Sequence, residues 1–290
     1  PLHYSILHAE FPRTKRFDYH MVNVIAMRFD EPSRRTLVAQ LPRQAWLPDQ
    51  RVPWNRDLHI GWAIPAPDGY TMCLVLWDAE RRVNYLTERD ARWEDPGQLG
   101  PRLTTGGQPI LPCSVQYSDD GRYLSYIRIT ERAQHELMVM DFQHDRVNGK
   151  AVALGGSECT PAFGPNGALM AVRLVENGVS SLQVISSANG MIIAELGSGE
   201  LGERPWHPTG NFIVATDNGV LYAIEVESPH RRLTLSPRNV QVRGGPSLAH
   251  DGSWVAVPVD SESGAEILFV RMERFAFEDD GPVEGGRSIG

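Results

Sequence analysis

Ala66-Pro67-Asp68-Gly69, Ser118-Asp119-Asp120-Gly121, Gly164-Pro165-Asn166-Gly167, His207-Pro208-Thr209-Gly210 and Ala249-His250-Asp251-Gly252 are five versions of one phrase. Their glycines, at 69, 121, 167, 210 and 252, are spaced by 52, 46, 43 and 42 residues. A period of this length built from short strands is the signature of a β-propeller, one four-stranded blade per repeat.

The flanks repeat as well. Three residues after each glycine stands Met72, Leu124, Met170, Ile213 or Val255, and the next residue is mostly small: Cys73, Ser125, Ala171, Val214, Ala256. Four residues before come Pro65, Tyr117, Phe163, Trp206 and Leu248, and eight before come Gly61, Cys113, Cys159, Gly202 and Gly244. The pattern reads as an inner strand, a tight turn whose glycine adopts positive φ cheaply, and a second strand with alternating apolar residues. The small residues suit inner strands crowded around an axis. Trp206 and Trp254 fall at repeat positions and are assigned to packing.

Read onward, the phrases give blades at about 58–89, 110–154, 159–196, 204–235 and 246–275. Residues 1–42 match the later part of a blade whose inner strand is missing. The tail 275–289 is the strand available to complete it. The expectation is all-β: a single propeller over 1–290, six four-stranded blades, the ring closed by N- and C-terminal strands. Closure removes exposed strand edges. Seven blades is the alternative, if 43–57 hides strands.

At 290 residues the chain has the length of one all-β domain. No apolar run approaches the roughly 20 residues of a membrane span, and no charged-then-apolar signal opens the sequence. Net charge is −8, which disfavours a nonspecific grip on nucleic acid or anionic membrane. The basic residues are nearly all arginine, with Lys15 and Lys150 the two lysines, as a GC-rich bacterial genome would give. Cys73, Cys113 and Cys159 form no C-x-x-C pair and no even framework. They read as small buried thiols, which leans toward the cytoplasm, or toward the periplasm if a signal was removed.

Three segments exceed the repeat: 42–57, 88–108 and 11–19. On this strand assignment the first two join an outer strand to the next inner strand, and all three open on the ring face opposite the Asp-Gly turns. Loops on one face of a rigid scaffold commonly carry binding. Trp46, Trp54, Arg56, Trp93 and Arg102 are therefore the candidate partner-binding residues, because aromatics and arginine are favoured at interfaces.

The five phrases resemble the TolB-type, WD-like propeller repeat, whose signature is Ser-Pro-Asp-Gly before a small residue in an apolar strand. Proline stands at Pro67, Pro165 and Pro208, and Thr209 replaces the turn aspartate. With their following strands the phrases cover about two thirds of the chain. The resemblance implies the propeller fold. Such repeats occur in periplasmic scaffold proteins, in noncatalytic propellers attached to peptidases, and in a few lyases.

No G-x-S-x-G elbow, phosphate loop or H-E-x-x-H spacing is present. Asp68, Asp120 and Asp251, with His207 and His250, are assigned to turn structure. Glu278, Asp279 and Asp280 read as a solvated acidic loop. No catalytic residues, metal or cofactor are assigned. The function expected is a noncatalytic scaffold that binds a protein or polymer partner through the loop-rich face, as a subunit of a larger assembly. The alternative is a lyase or hydrolase of an acidic sugar, with arginines neutralising carboxylates at the channel mouth.

Overall fold

The residue three places after each repeated glycine is buried: Met72, Leu124, Met170, Ile213 and Val255 are all 5% exposed or less. It stands first or second in the buried run of each second strand. The computed structural model describes residues 5–9, 21–28, 35–42, 58–78, 83–90, 92, 100–104, 109–261 and 264–272. They belong to two compact units, 1–199 and 200–290.

In the first unit, β1 (Ser5–Ala9), β2 (Met21–Arg28) and β3 (Arg35–Pro42) form an antiparallel sheet in chain order. The next sheet is β4 (Leu58–Pro65), β5 (Thr71–Asp78) and β6 (Val83–Asp90). Then come β7 (Gln116–Tyr117), β8 (Tyr123–Ile129), β9 (His135–Asp141) and β10 (Asp145–Gly155). The fourth sheet is β11 (Glu158–Phe163), β12 (Leu169–Glu176), β13 (Val179–Ser186) and β14 (Ile192–Gly197). The second unit holds β15 (Phe212–Asp217), β16 (Val220–Glu225) and β17 (Arg232–Thr234), then β18 (Ser247–Leu248), β19 (Trp254–Ser261) and β20 (Gly264–Arg271).

Single bridges extend three of the three-stranded sheets, and in two of them they add a further stretch. Arg102 lies opposite Thr87, with Leu103 N donating to Leu86 O at 2.7 Å, so 100–104 runs beside β6 as a fourth stretch. The sequence pattern does not reveal it, because Leu103 is the lone aliphatic side chain there. Polar side chains do the rest: Thr87 Oγ1 donates to Gly100 O at 3.0 Å, and Thr104 Oγ1 accepts from Leu86 N at 3.0 Å. Trp206 lies opposite Ile213 and supplies the first strand of the β15–β17 sheet.

The first strands are less regular than the repeat predicts. Residues 109–111 pair with β8, the chain then makes one 3-10 turn at Pro112–Ser114, and pairing resumes at β7. Ser114 spans the gap. Its hydroxyl donates to Leu111 O at 2.6 Å and accepts from Ile127 N at 2.8 Å. β4 shifts register at the equivalent place, between Ile60 and Trp62. In the second unit, Glu200 and Val242 pair ahead of similar breaks. There a Cβ on Gly202 would collide with the Pro246 carbonyl, and one on Gly245 with the Leu201 carbonyl. Small residues seven or eight places before the turn glycine thus serve interruptions of the first strand, not only crowding. Cys159, in the unbroken β11, is the regular case.

All five turn glycines have positive φ, from 69° to 77°. Neighbouring turns also touch. A Cβ on Gly121 would meet Pro67, one on Gly167 would meet Ser118 and Asp120, and one on Gly252 would meet His207 and Pro208. Within each unit the contacting turns therefore lie on one side. Behind them, the faces of successive sheets interlock. Cys73, Val75 and Leu86 pack with Leu124, Tyr126 and Met138, while Tyr123, Ile127 and Leu137 pack with Met170, Val172 and Ile185. Val214, Leu221 and Ala223 pack with Leu248, Val255 and Val257 in the second unit.

β14, outermost in its sheet, has two register shifts against β13, opposite Leu182/Gln183 and Val184/Ile185. It is preceded by Met191 and begins with Ile192 and Ile193, all three exposed. The tail 275–289, assigned above to complete the first sheet, lies outside the described residues.

The turn geometry orders the cost of alanine. Gly69→Ala meets nothing within 4 Å and costs about 1 kcal/mol through its positive φ alone. Gly252→Ala adds a steric clash, its Cβ falling 2.6 Å from His207 Nε2 and 2.8 Å from Pro208 Cδ. Urea denaturation should place Gly252→Ala below Gly69→Ala in midpoint.

Candidate functional site

Each turn is fastened by a short side chain. Asp68 Oδ1 accepts from Tyr70 N and Thr71 N, both at 2.8 Å, while Asp120 Oδ1 accepts from Arg122 N and Asp251 Oδ1 from Ser253 N, both at 3.0 Å. These are the local bonds that make aspartate a turn residue. Burial opposes ionisation of Asp68, but the bonds from Thr71 and Tyr70 win and hold its carboxyl below the usual range. His207 takes the same role. Its Nδ1 accepts from Thr209 N at 3.3 Å, its ring stacks on Phe212 at 4.3 Å, and burial lowers its pKa.

A second element appears beside three of the turns. The third strand ends on a carboxylate opposite the residue two places after the turn glycine: Asp90 opposite Thr71, Asp141 opposite Tyr123, Glu225 opposite Phe212. Each holds an arginine. Asp141 accepts from Arg122 Nη2 at 2.9 Å and also meets His144 Nδ1 at 2.9 Å. Glu225 accepts from Arg231 Nη1 at 3.0 Å. Asp90 accepts from the Arg92 backbone N at 2.8 Å, from Nε at 3.0 Å and from Nη2 at 2.6 Å. The hydrogen bonds from Arg92 hold the Asp90 carboxyl well below the carboxylate range, and those from Arg122 do the same for Asp141.

The second sheet carries this arrangement furthest into solvent. The Arg92 guanidinium lies over the Tyr70 ring, 4.8 Å from its centroid. Tyr70 is 52% exposed and the Arg92 side chain 64% exposed. An aromatic face and a planar cation are thus fixed side by side at the turn end. Arg122 over Tyr123, also 4.8 Å, repeats the pairing one sheet on, where Tyr123 is buried.

This placement corrects the reading of 88–108. Residues 88–90 are the end of β6, and 100–104 is the fourth stretch of the same sheet. Segment 91–99 therefore leaves β6 beside the Gly69 turn, not on the opposite side. Segment 43–57 enters at the other end, because β4 starts at Leu58 opposite Asp78 and ends at Pro65 opposite Met72. The two insertions meet opposite ends of one sheet. Trp46, Trp54, Arg56 and Trp93 lie outside the described residues, as do Glu278, Asp279 and Asp280. Arg102 is described. It sits on the outer stretch of the sheet with its guanidinium 4.4 Å from the Tyr85 centroid.

Two further expectations change. Trp206 is buried as assigned, but Trp254 is 42% exposed, opposite Arg271 in the register of β19 and β20. Sequence periodicity could not distinguish a sheet face that is covered from one that is not. Buried Cys73 and Cys159 carry no thiolate at neutral pH, since burial pushes both thiols up, Cys159 to about 12. Among the described residues no three His, Cys, Asp or Glu side chains converge as a metal site. The strand-ending carboxylates were missed in the sequence, although each lies 15 to 21 residues after its turn glycine.

No protein-family model and no curated protein matches this sequence. Solved structures do. A putative TolB from Agrobacterium tumefaciens is 13% identical with TM-score 0.52, covering 82% of this chain and 81% of its own. An oligogalacturonate lyase in complex with manganese is 11% identical with TM-score 0.60, covering 89% of this chain and 75% of its own. The Dos1 propeller is 11% identical with TM-score 0.55, and the match covers 87% of this chain but 63% of Dos1. The likeness establishes the fold: this is an all-β chain of β-propeller architecture, as in TolB. At these identities it says nothing of activity.

The Asp141–Arg122 pair generates a pH prediction. Its depressed carboxyl contributes stability that is fully present above the unfolded aspartate value of about 4 and is lost as pH falls toward the folded value. Asp141→Asn should therefore lower stability at pH 7 and flatten its decline below about pH 4, read by denaturant titration at each pH.

Proposed function

We propose that the six sheets are the blades of one closed propeller, and that it works as a noncatalytic interaction module for a protein partner. The observation that carries this reading is the Tyr70–Arg92–Asp90 set. Tyrosine and arginine are favoured contact residues at protein interfaces. The bidentate carboxylate and the stacked ring hold Arg92 in place before binding, which lowers the entropy a complex must overcome. Trp93 follows directly in sequence, so the reading assigns it to the same surface. Trp46, Trp54 and Arg56 belong to the separate segment at the other end of the blade, and Arg102 to its outer edge.

The enzyme reading asks for arginines that can neutralise an acidic sugar. Arg92, Arg122, Arg128, Arg173, Arg231, Arg232 and Arg243 each face a carboxylate of this chain within 4 Å. An acidic substrate would have to displace those partners. This weighs toward binding, and the net charge of −8 weighs against nucleic acid as the polymer bound.

The test compares two sets of alanine variants against a partner captured by crosslinking in cells. Replacing Tyr70, Arg92 and Trp93 together should weaken the complex by about 2 kcal/mol or more, with the melting temperature held to within a few degrees. Replacing Trp46, Trp54 and Arg56 should leave the affinity near that of the wild type. The reverse result moves the interface to the other end of the blade. Unchanged affinity in both sets removes the proposal.

A further inference from the structure

Five Asn-Gly pairs stand in the chain: Asn148-Gly149, Asn166-Gly167, Asn177-Gly178, Asn189-Gly190 and Asn218-Gly219. An asparagine before glycine is open to attack by the next backbone nitrogen, because glycine has no side chain in the way. The attack needs an amide that is free of hydrogen bonds and able to swing toward the asparagine side chain. The fold denies this to four of the five. Gly167 N donates to Gly164 O at 2.9 Å, and Gly190 N to Ser186 O at 2.8 Å. Their asparagines are engaged as well, Asn166 Oδ1 accepting from Ala168 N at 3.2 Å and Asn189 Oδ1 from Met191 N at 3.0 Å. Gly149 lies in β10 so close to β9 that a Cβ would fall 2.8 Å from Val139 O. Asn218 Nδ2 donates to Asp217 Oδ1 at 3.2 Å, and Gln241 lies against Gly219.

Asn177-Gly178 differs on every count. The two residues are the loop of the β12–β13 hairpin, with Glu176 paired to Val179. Both are exposed, and both have positive φ, 50° and 78°, as a type I′ turn requires. Gly178 N donates no hydrogen bond among the described residues, and a Cβ on Gly178 would meet nothing within 4 Å.

We propose that Asn177 is a site of spontaneous deamidation. The Gly178 nitrogen gives its proton to solvent base and attacks Asn177 Cγ. The N–Cγ bond forms, the Cγ–Nδ2 bond breaks, and ammonia leaves. Water then opens the cyclic imide at one carbonyl or the other, which yields aspartate or isoaspartate. Closing the ring sets ψ of Asn177 at about −120°, the value at the first central position of a type II′ turn. Types I′ and II′ both close two-residue hairpins. One rotation of the Asn177–Gly178 peptide plane therefore reaches the reactive geometry with β12 and β13 still paired. The product carries a new negative charge beside Glu176.

Peptide mapping by mass spectrometry, on the full chain aged in mildly alkaline buffer, tests the proposal. Asn177 should convert about tenfold or more faster than the other four asparagines, which must open locally first. In concentrated urea that preference should vanish, because all five then share the same free dipeptide. An unconverted Asn177 in the aged folded protein overturns the proposal. Another pair that converts as fast in the folded protein also overturns it. A preference for Asn177 that survives urea overturns it too, since the neighbouring sequence and not the hairpin then selects the site.

Discussion

Everything regular in this protein hangs on a turn that reverses the chain within two residues. The reversal needs a backbone in the left-handed region, which a side chain makes costly. It also needs an acceptor for the amides that the reversal leaves facing one another. Asp68, Asp120, Asn166 and Asp251 supply that acceptor, each bonding the amide two residues on. Once the turn is set, the register of the two strands around it is fixed. The residue three places after the glycine must then point to one face of its sheet, and a slip of one residue would turn it to the other, which in β5, β8, β12 and β15 is buried too. The turns also lean on each other, so one blade's geometry constrains the next.

The fold was legible because this constraint is local. Five glycines, their preceding acceptors and the apolar residue at the third place can all be read within a dozen positions. The candidate site was less legible because it is built from pairs that local reading does not join. Asp90 and Tyr70 are separated by a whole hairpin, and they meet through the register of β5 and β6. Arg92, two residues beyond Asp90, joins them because β6 ends beside the turn. With Leu103 its lone aliphatic side chain, stretch 100–104 gave no periodic signal, so the insertion was assigned to the wrong end of the blade. Trp254 shows the complementary limit. Its place in the repeat matches that of buried Phe212, yet it is exposed, because burial depends on what stands across from a sheet and not on the strand itself.

The strand-ending carboxylates deserve a common explanation. An acid at that place faces the open end of a hairpin, where solvent loosens the last pair of the ladder. An arginine from the turn or from the following connection ties the end down, as Arg122 does from one side and Arg92 and Arg231 do from the other. The same fixture turns an arginine outward with its position already decided. Stability and recognition therefore draw on one arrangement, and where the neighbouring ring is also exposed, as at Tyr70, the arrangement becomes a surface.

β14 shows how a greasy edge can remain inert. Met191, Ile192 and Ile193 give its start the composition of an adhesive strand, the kind that templates growth from one molecule to the next. Its two bulges spoil the template. An incoming strand would find the spacing of donors and acceptors broken twice within six residues, and could satisfy only part of the edge before falling out of step. The two breaks disfavour growth from one molecule to the next through that edge. The safeguard lies in the rhythm of the backbone rather than in charge.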